Sequence, residues 1–219
     1  MSEVNILTGS AGESEAVHLW ALQVPEVFSQ GEVIAESNEQ AIRRLACPPV
    51  EGPVAVKYFP PRRVSGKEAP GRRSWDRAVF LAQQGIGTPE PVALVEGEGE
   101  WLVTRELPAH DPFKSRLIDI YVNDPQCHRL IALMQEVADA VRELHAAGVI
   151  HGDLGNQNIL ILREPEGSPL VQFIDLNRAR VCVSLSLEDI ARDVSRIHLP
   201  SEFRRVFYEM LFEGEPPKA

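Results

Sequence analysis

The feature that most constrains this chain is an ordered set of polar residues around two short apolar runs. Asp153 and Asn158 lie in the run His151-Gly152-Asp153-Leu154-Gly155-Asn156-Gln157-Asn158, and Asp175 ends the run Phe173-Ile174-Asp175. Between them, residues 159–174 predict a hairpin, because two apolar stretches flank a turn that contains two prolines and a glycine. The predicted order is therefore a polar loop, a hairpin and an aspartate at the end of the second strand.

This order of residues is typical of a kinase catalytic region. Phosphoryl transfer needs a carboxylate to hold the attacking hydroxyl, and Asp153 has the position for that task. It also needs oxygen ligands that hold magnesium on the nucleotide, and Asn158 and Asp175 would supply them. The sequence therefore predicts an enzyme, a kinase that uses ATP and Mg²⁺. His151 is assigned a structural role in packing the loop.

Composition argues against several other classes of protein. The 219 residues carry a net charge of -10, from 22 basic and 32 acidic side chains, which disfavours general nucleic-acid binding. The three cysteines are scattered without a CxxC pair, so neither a disulfide framework nor a zinc site is indicated. No apolar run approaches the roughly 18 residues of a membrane-spanning helix, and no signal peptide is seen. We therefore expect a cytoplasmic protein that is soluble, or at most peripheral to a membrane.

Periodicity and turn signals predict an alternation of strands and helices around the polar loop. The clearest helix, residues 129–147, has apolar residues at i, i+3, i+4 and i+7 and leads directly into the loop. The other predicted elements are strands at residues 54–59, 92–95 and 101–104, and helices at residues 74–84, 187–197 and 202–212.

The predicted fold class is α+β, a two-lobed protein-kinase-like fold. A small antiparallel β N-lobe would cover residues 1–107, and a mostly helical C-lobe with the catalytic loop would cover residues 108–219. Residues 1–20 show no clear period and predict a mobile lead-in. Residues 22–36 are compatible with one or two short strands. The segment at residues 37–45 is compatible with a short helix or with another strand.

Two N-lobe segments are candidates for contacts with the nucleotide. Lys57 lies inside a strand that precedes a helix, which is where a kinase places the lysine that holds ATP phosphates. The linker between the lobes would present the backbone amide and carbonyl groups of Glu106 and Leu107 to an adenine edge. No Gly-x-Gly-x-x-Gly loop occurs in residues 1–53, so a phosphate cradle of that type is not predicted.

At several of these segments the chain resembles the lipopolysaccharide kinase family, the Kdo/WaaP/InaA group of bacterial sugar kinases. The resemblance covers roughly residues 50–200, and the more family-specific stretches are Gly-Ile-Gly-Thr-Pro-Glu-Pro-Val and Ile-Asp-Leu-Asn-Arg-Ala. It implies an ATP-dependent kinase that phosphorylates a hydroxyl of heptose or Kdo in the lipopolysaccharide core. It also implies action at the cytoplasmic face of the inner membrane, with peripheral membrane contact. The segments that carry the resemblance are residues 54–57, 85–92, 102–107, 151–154 and 173–179.

The resemblance implies roles for individual residues. Lys57 would hold the nucleotide phosphates, Asp153 would act as the catalytic base or orienting carboxylate, and Asn158 and Asp175 would hold magnesium. Asp193 resembles the family's helix aspartate that braces the catalytic loop. One departure concerns the glutamate that usually partners the lysine. Its position falls on Ser74, and the nearest carboxylate is Asp76.

Two further hypotheses remain open from the sequence. The chain could be a small atypical Ser/Thr protein kinase, or a nucleotide-binding pseudokinase without turnover. Residues 62–73 carry five basic residues and one acidic residue, which predicts either a solvated loop or a patch that attracts an anionic acceptor.

Overall fold

The computed structural model describes residues 4–9, 15–37, 40–61, 68–124, 126–164 and 169–212. The chain divides into two compact units. Unit 1 comprises Met1–Ala82 and Pro89–Leu107, and unit 2 comprises Gln83–Thr88 and Pro108–Ala219. Residues 83–88, which the sequence places in the N-lobe, therefore belong to unit 2.

Unit 1 is built on a six-stranded antiparallel sheet in the order β1-β5-β6-β4-β3-β2. Its strands are β1 (Asn5–Thr8), β2 (Glu32–Glu36), β3 (Ala41–Ala46), β4 (Pro53–Phe59), β5 (Pro91–Glu96) and β6 (Glu100–Arg105). Its helices are α1 (Glu15–Ala21), α2 (Val24–Val27) and α3 (Pro70–Gln83), with a 3₁₀ turn at Phe28–Gln30. Strand β4, which carries Lys57, lies between β3 and β6 and is not an edge strand.

Both faces of this sheet bury apolar side chains. Val54 and Val56 of β4 pack in one cluster with Val17 and Ala21 of α1. Phe59 packs in a second cluster with Trp75 of α3 and with Leu94 and Leu102. Successive side chains of a strand point to opposite faces, so Lys57 shares the face of Phe59, the face on which α3 packs.

At the N-terminal end of unit 1, one prediction is wrong, one is confirmed in part and one open choice is resolved. Residues 5–8 are not a mobile lead-in, because they form β1 and pair with β5. Residues 22–36 contain helix α2 and a 3₁₀ turn before the strand β2. Of the segment at residues 37–45, for which a helix or a strand was open, residues 41–45 lie in strand β3. Pairing with distant strands decides these short segments, whose local periodicity is weak.

Helix α3 begins four residues before the predicted start, at Pro70. The carboxylate of Glu100, at the start of β6, accepts hydrogen bonds from the backbone N–H groups of Gly71 at 2.9 Å and Arg72 at 2.8 Å. The first N–H groups of a helix have no partner within the helix, and a negative charge there is favourable. The capping residue thus lies 29 residues away along the chain. Sequence patterns for helix starts cover only neighbouring residues, so they do not detect it.

Unit 2 is mostly helical and carries two small sheets, one of three strands and one of two. Its helices are α4 (Phe113–Asn123), α5 (His128–Ala146), α6 (Leu187–Val194) and α7 (Ser201–Phe212). Its strands are β7 (His110–Pro112), β8 (Val149–Ile150), β9 (Ile159–Leu162), β10 (Val171–Phe173) and β11 (Arg180–Val181). The predicted hairpin is confirmed: β9 and β10 pair antiparallel, and β7 extends them on the β9 side.

Helix α5 forms the centre of unit 2. It packs against α4 and α7 and buries one continuous face that includes Leu130, Met134, Val137, Val141 and Leu144. This is the face that its i, i+3, i+4, i+7 pattern predicts. After α5 the chain enters β8 and then the loop at residues 151–158, so the position of this loop follows from the packing of α5.

Sequence reasoning missed helix α4, which it treated as part of the linker. The helix buries Phe113, Leu117 and Ile120, at the spacing of one helical face. It begins after Pro112 without a side-chain cap, so the usual start signal is absent from the sequence. Across the described ranges, no helix has both the length and the apolar character needed to cross a membrane.

Candidate active site

A buried carboxylate, that of Asp193, binds the backbone of the loop at residues 151–158. Asp193, in the last turn of α6, is 2 % exposed. It accepts hydrogen bonds from the backbone N–H groups of His151 and Gly152, both at 2.8 Å, and contacts His145 Nε2 at 3.1 Å. Burial opposes ionisation of Asp193, but the hydrogen bonds from His145, His151 and Gly152 outweigh it and lower the pKa of the carboxyl. The expected brace between Asp193 and the loop is thus present.

His151 is a fully buried part of the loop's framework. Its Nε2 lies 3.0 Å from the carbonyl oxygen of Ile174, and the backbone N–H of Asp153 donates to its Nδ1 at 3.3 Å. One ring nitrogen donates and the other accepts, which is the pattern of a neutral imidazole. Burial lowers the pKa of His151, although Asp193 and the Ile174 carbonyl oppose this shift. The residue ties the loop to the strand end before Asp175 and is not placed to carry protons.

Asp153 is half-buried and lies between two arginines that the sequence analysis did not assign. Arg196 Nη1 lies 3.2 Å from Asp153 Oδ1, and Arg178 Nη1 lies 4.0 Å from Asp153 Oδ2. The arginine side chains are 49 % and 63 % exposed. Ion pairs this exposed typically contribute about 0–1 kcal/mol to stability. These two arginines therefore matter more for the charge around Asp153 than for the fold.

Asn158 and Asp175 are brought together by the β9–β10 hairpin. The backbone N–H of Ile174 donates to the carbonyl oxygen of Asn158 at 3.0 Å, which places Asp175 one residue beyond that bond. Asn158 is buried, and its Nδ2 donates to the Asp153 carbonyl oxygen at 2.8 Å. This bond fixes the orientation of the amide. Its Oδ1 accepts no hydrogen bond from the described residues and so remains a candidate metal ligand.

The backbone at Asp175 is in a conformation that is uncommon for a residue other than glycine. Its φ and ψ are 61° and 54°, in the left-handed region. Such strain persists where the surrounding structure fixes it, and it is common at functional sites. Magnesium bound to a nucleotide takes one or two protein side chains, with phosphate and water oxygens as its other ligands. An amide oxygen and a carboxylate from Asn158 and Asp175 fit that requirement.

The segment Gly85–Thr88, the first half of one family-specific stretch, belongs to unit 2 and bonds to strand β10. The Gly87 carbonyl accepts from Phe173 N at 2.8 Å, and Thr88 Oγ1 donates to the Phe173 carbonyl at 3.0 Å. A Cβ at Gly87 would lie 1.9 Å from the Val171 carbonyl oxygen, so only glycine fits this close approach. The segment therefore supports the strand that leads to Asp175.

Lys57 lies half-buried in the middle of unit 1, on the central strand β4. Its Nζ lies 5.1 Å from the centre of the Phe59 ring, within the range of a cation–π contact. The two candidate partners on α3 have hydrogen bonds or ion pairs of their own. Ser74 is buried and donates to the Pro70 carbonyl at 2.8 Å, and Asp76 pairs with Arg72 at 3.2 Å. Ser74 and Asp76 therefore both have partners within α3.

The linker groups proposed for adenine are partly used by unit 1 itself. The backbone N–H of Glu106 donates to the Pro53 carbonyl at 3.1 Å, so it is not available to a ligand. The Glu106 carboxylate pairs with Arg44, whose Nε lies 2.6 Å away. The carbonyl of Glu106 and the N–H of Leu107 have no hydrogen-bond partner among the described residues, and these two groups remain the candidates.

The basic segment at residues 62–73 stays largely untested. Arg62, Arg63 and Lys67 lie outside the described residues. The two described arginines are engaged with carboxylates of unit 1: Arg72 pairs with Asp76 and Glu96, and Arg73 pairs with Glu68. Their charges are largely balanced within the unit.

Sequence reasoning missed four residues of this site, and for different reasons. Arg178 and Arg196 stand in motifs that were noted for their aspartates, but nothing in the spacing predicts contact with Asp153. His145 reads as one more residue of the apolar face of α5, although it contacts Asp193. Asn156 lies in the loop run that contains Asp153 and Asn158, but the sequence analysis assigned it no role. In the structure it is buried and forms two hydrogen bonds with the backbone of His198.

Comparison with known proteins identifies the family of this chain. The model of the lipopolysaccharide kinase (Kdo/WaaP) family matches residues 72–204, more than half of the 219 residues. The chain belongs to this family. The matched range includes the loop at residues 151–158, the hairpin, Asp175 and Asp193. The expected family is therefore confirmed, and ATP is the phosphoryl donor that membership in a kinase family implies.

Two further similarities agree with this result. The solved structure of WaaP in complex with acyl carrier protein superposes with a TM-score of 0.69 at 20 % identity, covering 96 % of this chain and 90 % of that one. This similarity confirms the predicted kinase-like α+β fold. The RIO-type serine/threonine-protein kinase Rio1 of Haloferax volcanii is 30 % identical over 138 residues, which cover 61 % of this chain and 43 % of that protein. The chain thus spans less than half the length of this curated relative.

Proposed function

We propose that this protein is an ATP-dependent kinase that phosphorylates a sugar hydroxyl, of heptose or Kdo, in the lipopolysaccharide core. The single observation that carries the proposal is the assembled loop: Asp153, Asn158 and Asp175 stand on one braced framework within unit 2. Family membership supports the sugar acceptor. Because such an acceptor is part of a membrane lipid, the proposed place of action is the cytoplasmic face of the inner membrane.

In this proposal Asp153 orients the acceptor hydroxyl and accepts its proton as the oxygen attacks the γ-phosphorus of ATP. The bond from that phosphorus to the β–γ bridging oxygen breaks, and ADP leaves. Asn158 Oδ1 and a carboxylate oxygen of Asp175 are the proposed ligands of magnesium. The metal, when bound, neutralises phosphate charge and aligns the phosphate groups.

Unit 1 contributes the proposed contacts with the nucleotide. Lys57 is assigned to the ATP phosphates. It lies on β4, an inner strand of the sheet. The Glu106 carbonyl and the Leu107 N–H are assigned to the adenine edge. These groups bind and orient the donor, and positioning of this kind supplies much of the catalysis in phosphoryl transfer.

The direct test is transfer by the purified chain. Purified core oligosaccharide is incubated with Mg-ATP and the protein, and mass spectrometry follows the mass of one added phosphate. The proposal expects this product with the wild type and none above background with Asp153→Asn. The same comparison applies to core oligosaccharide from cells with and without the gene. Tight Mg-ATP binding without transfer to any acceptor would instead identify a nucleotide-binding pseudokinase.

A second candidate function is an atypical Ser/Thr protein kinase. The 30 % identity with a RIO-type serine/threonine-protein kinase favours this alternative. Radiolabelled ATP offered together with core oligosaccharide and with a general protein substrate separates the two. Label in protein, or in the chain itself, with none in oligosaccharide would overturn the sugar-kinase proposal in favour of this one.

A further inference from the structure

We propose that Arg196 and Arg178 form a binding site for an anionic group of the acceptor. The acceptor would then carry a phosphate or a carboxylate close to the hydroxyl that is phosphorylated. This inference rests on the proposed function, because it concerns the acceptor side of the same loop. It starts from charge: one carboxylate, Asp153, faces two guanidinium groups at 3.2 Å and 4.0 Å. The local charge of this group is positive, in a chain whose net charge is -10.

The catalytic loop itself holds the segment that carries Arg196. The side chain of Asn156, 5 % exposed, donates to the His198 carbonyl at 2.7 Å and accepts from the His198 N–H at 2.8 Å. Ile197 and Leu199, on either side of His198, are both buried. The backbone next to Arg196 is therefore fixed to the loop that contains Asp153. A backbone fixed in this way loses little further freedom when a ligand binds beside it.

The backbone of Arg178 is held from a different direction. Gly152 has φ +75°, and a Cβ there would lie 2.7 Å from the Arg178 carbonyl oxygen. A side chain at position 152 would push the 3₁₀ turn at Leu176–Arg178 away from the loop. Leu176 and Ala179, which flank Asn177 and Arg178, are both buried. Two separately anchored segments thus bring their guanidinium groups to the same carboxylate.

During catalysis, Arg178 and Arg196 would interact less strongly with the Asp153 carboxylate. Asp153 must offer an oxygen to the acceptor hydroxyl, so it cannot serve both guanidinium groups fully at that moment. Among the described residues, Arg178 has no acidic partner nearer than Asp153 at 4.0 Å. A guanidinium presents paired donors that match the oxygens of a phosphate or a carboxylate. An anion on the acceptor would restore the balance of charge beside Asp153.

The experiment measures binding to the full chain by isothermal titration at low salt, in excess Mg²⁺ and ADP. The probes are glucose 6-phosphate, glucuronate and glucose, which differ in the anion and share the sugar ring. At least one charged probe should bind more tightly than glucose by about tenfold or more, as expected for hydrogen bonds to charged groups. The stronger of the two charged probes identifies the anion as phosphate or carboxylate.

Variants then locate the binding. Arg196→Gln and Arg178→Gln should each weaken binding of the charged probe by about tenfold, and Arg196→Lys should retain part of it. The matched control is Arg192→Gln, on the same helix as Asp193, because Arg192 is 65 % exposed and pairs with Glu188. That variant should bind as the wild type does. Asn156→Ala tests the positioning role: it should weaken binding of the charged probe more than it weakens binding of glucose.

Four results would overturn the inference. Equal binding of glucose and both charged probes would remove the anion site, and so would no binding at all. Wild-type affinity in both Arg196→Gln and Arg178→Gln would place any anion elsewhere. Loss of Mg-ATP affinity in these variants, with charged-probe binding intact, would assign the arginines to the nucleotide. Failure of the proposed function looks different: the wild type would bind the charged probe but transfer no phosphate from Mg-ATP to core oligosaccharide.

Discussion

Consecutive residues of the catalytic loop have separate tasks. His151 is buried and neutral, Gly152 provides a positive φ and room for the Arg178 carbonyl, and Asp153 faces solvent and two guanidinium groups. Such a division is possible because a left-handed glycine turns the chain sharply between a buried residue and a half-exposed one. Each of the three positions therefore responds differently to substitution.

Asp153→Asn should lower kcat by about 10²–10⁴-fold, the contribution typical of a positioned acid–base group. The fold should be retained, because the ion pairs of the Asp153 side chain with described residues are exposed. Initial rates with Mg-ATP and core oligosaccharide, together with circular dichroism, provide the measurement. A well-folded variant with the wild-type kcat would show that this carboxylate does not take part in transfer.

His151 predicts a dependence of stability on pH. Because burial lowers the pKa of the folded-state imidazole below 6.5, the unfolded chain binds a proton more readily between that lowered value and 6.5. Stability therefore rises with pH through this window and falls on acidification, by at most about 1.4 kcal/mol per pH unit for one group. Denaturant unfolding at pH 7 and pH 5.5 measures the difference.

The variant His151→Gln can replace the hydrogen bonds of the imidazole without binding a proton in this range. It should lose less stability between pH 7 and pH 5.5 than the wild type does. The control is His18→Gln, on the exposed side of α1, which should behave as the wild type. An identical fall in stability for wild type and His151→Gln would contradict this assignment.

At the scale of elements, the eight-residue helix α6 positions the loop at residues 151–158. Its last turn supplies Asp193, which fixes the catalytic loop, and the chain beyond it supplies Arg196. Its first turn has a capping box between Ser186 and Asp189, with the Asp189 N–H donating to Ser186 Oγ at 3.1 Å. The helix is thus defined at both ends, and its C-terminal end serves the site.

The two ends of α6 should respond differently to substitution. Asp193→Asn replaces one acceptor oxygen by an NH₂ group that faces backbone donors, so the free energy of unfolding should fall by about 2–4 kcal/mol. Ser186→Ala removes only a cap and should cost about 1 kcal/mol. Chemical denaturation of both variants gives the comparison. A smaller loss for Asp193→Asn than for Ser186→Ala would mean that the brace is not a major support of the loop.

At the scale of the whole molecule, acidic residues outnumber basic ones, and the arginines discussed above form ion pairs with carboxylates of their own unit. Arg72, Arg73 and Arg44 are paired with carboxylates in unit 1, while Arg178 and Arg196 share one carboxylate in unit 2. The density of basic residues along the sequence therefore does not indicate where cationic charge is available. Among the described residues, the two arginines beside Asp153 are better placed for an anionic acceptor than Arg72 and Arg73.

Ligand binding should also be visible as stability of the whole chain. Mg-ATP at about 100 times its Kd should stabilise the folded protein by about 2.7 kcal/mol and raise Tm. In Asp175→Ala this gain should be lost, because Asn158 alone supplies a neutral oxygen for magnesium. Differential scanning fluorimetry with Mg²⁺, ATP and EDTA measures it. A rise in Tm that is equal in the variant and unaffected by EDTA would refute the metal assignment.

Patterns that act over short distances along the chain could be read from the sequence. The apolar face of α5, the β9–β10 hairpin and the order Asp153, Asn158, Asp175 each depend on neighbours within a few residues or on one turn, and the structure contains these elements. The start of α3 could not be read in this way, because its cap comes from Glu100. Helix α4 lacked a start signal, and β1 needed its pairing with β5.

By itself, the sequence determined the class of fold and the order of polar residues from Asp153 to Asp175, because these follow from local periodicity and fixed spacing. The family followed from the resemblance of several segments to known lipopolysaccharide kinases. Only the tertiary structure decided what surrounds Asp153. Arg178 and Arg196 lie 25 and 43 residues from it, and both reach it because Gly152 admits one segment and Asn156 fixes the other. Contacts of this kind depend on packing between segments remote in sequence, and no local pattern encodes them.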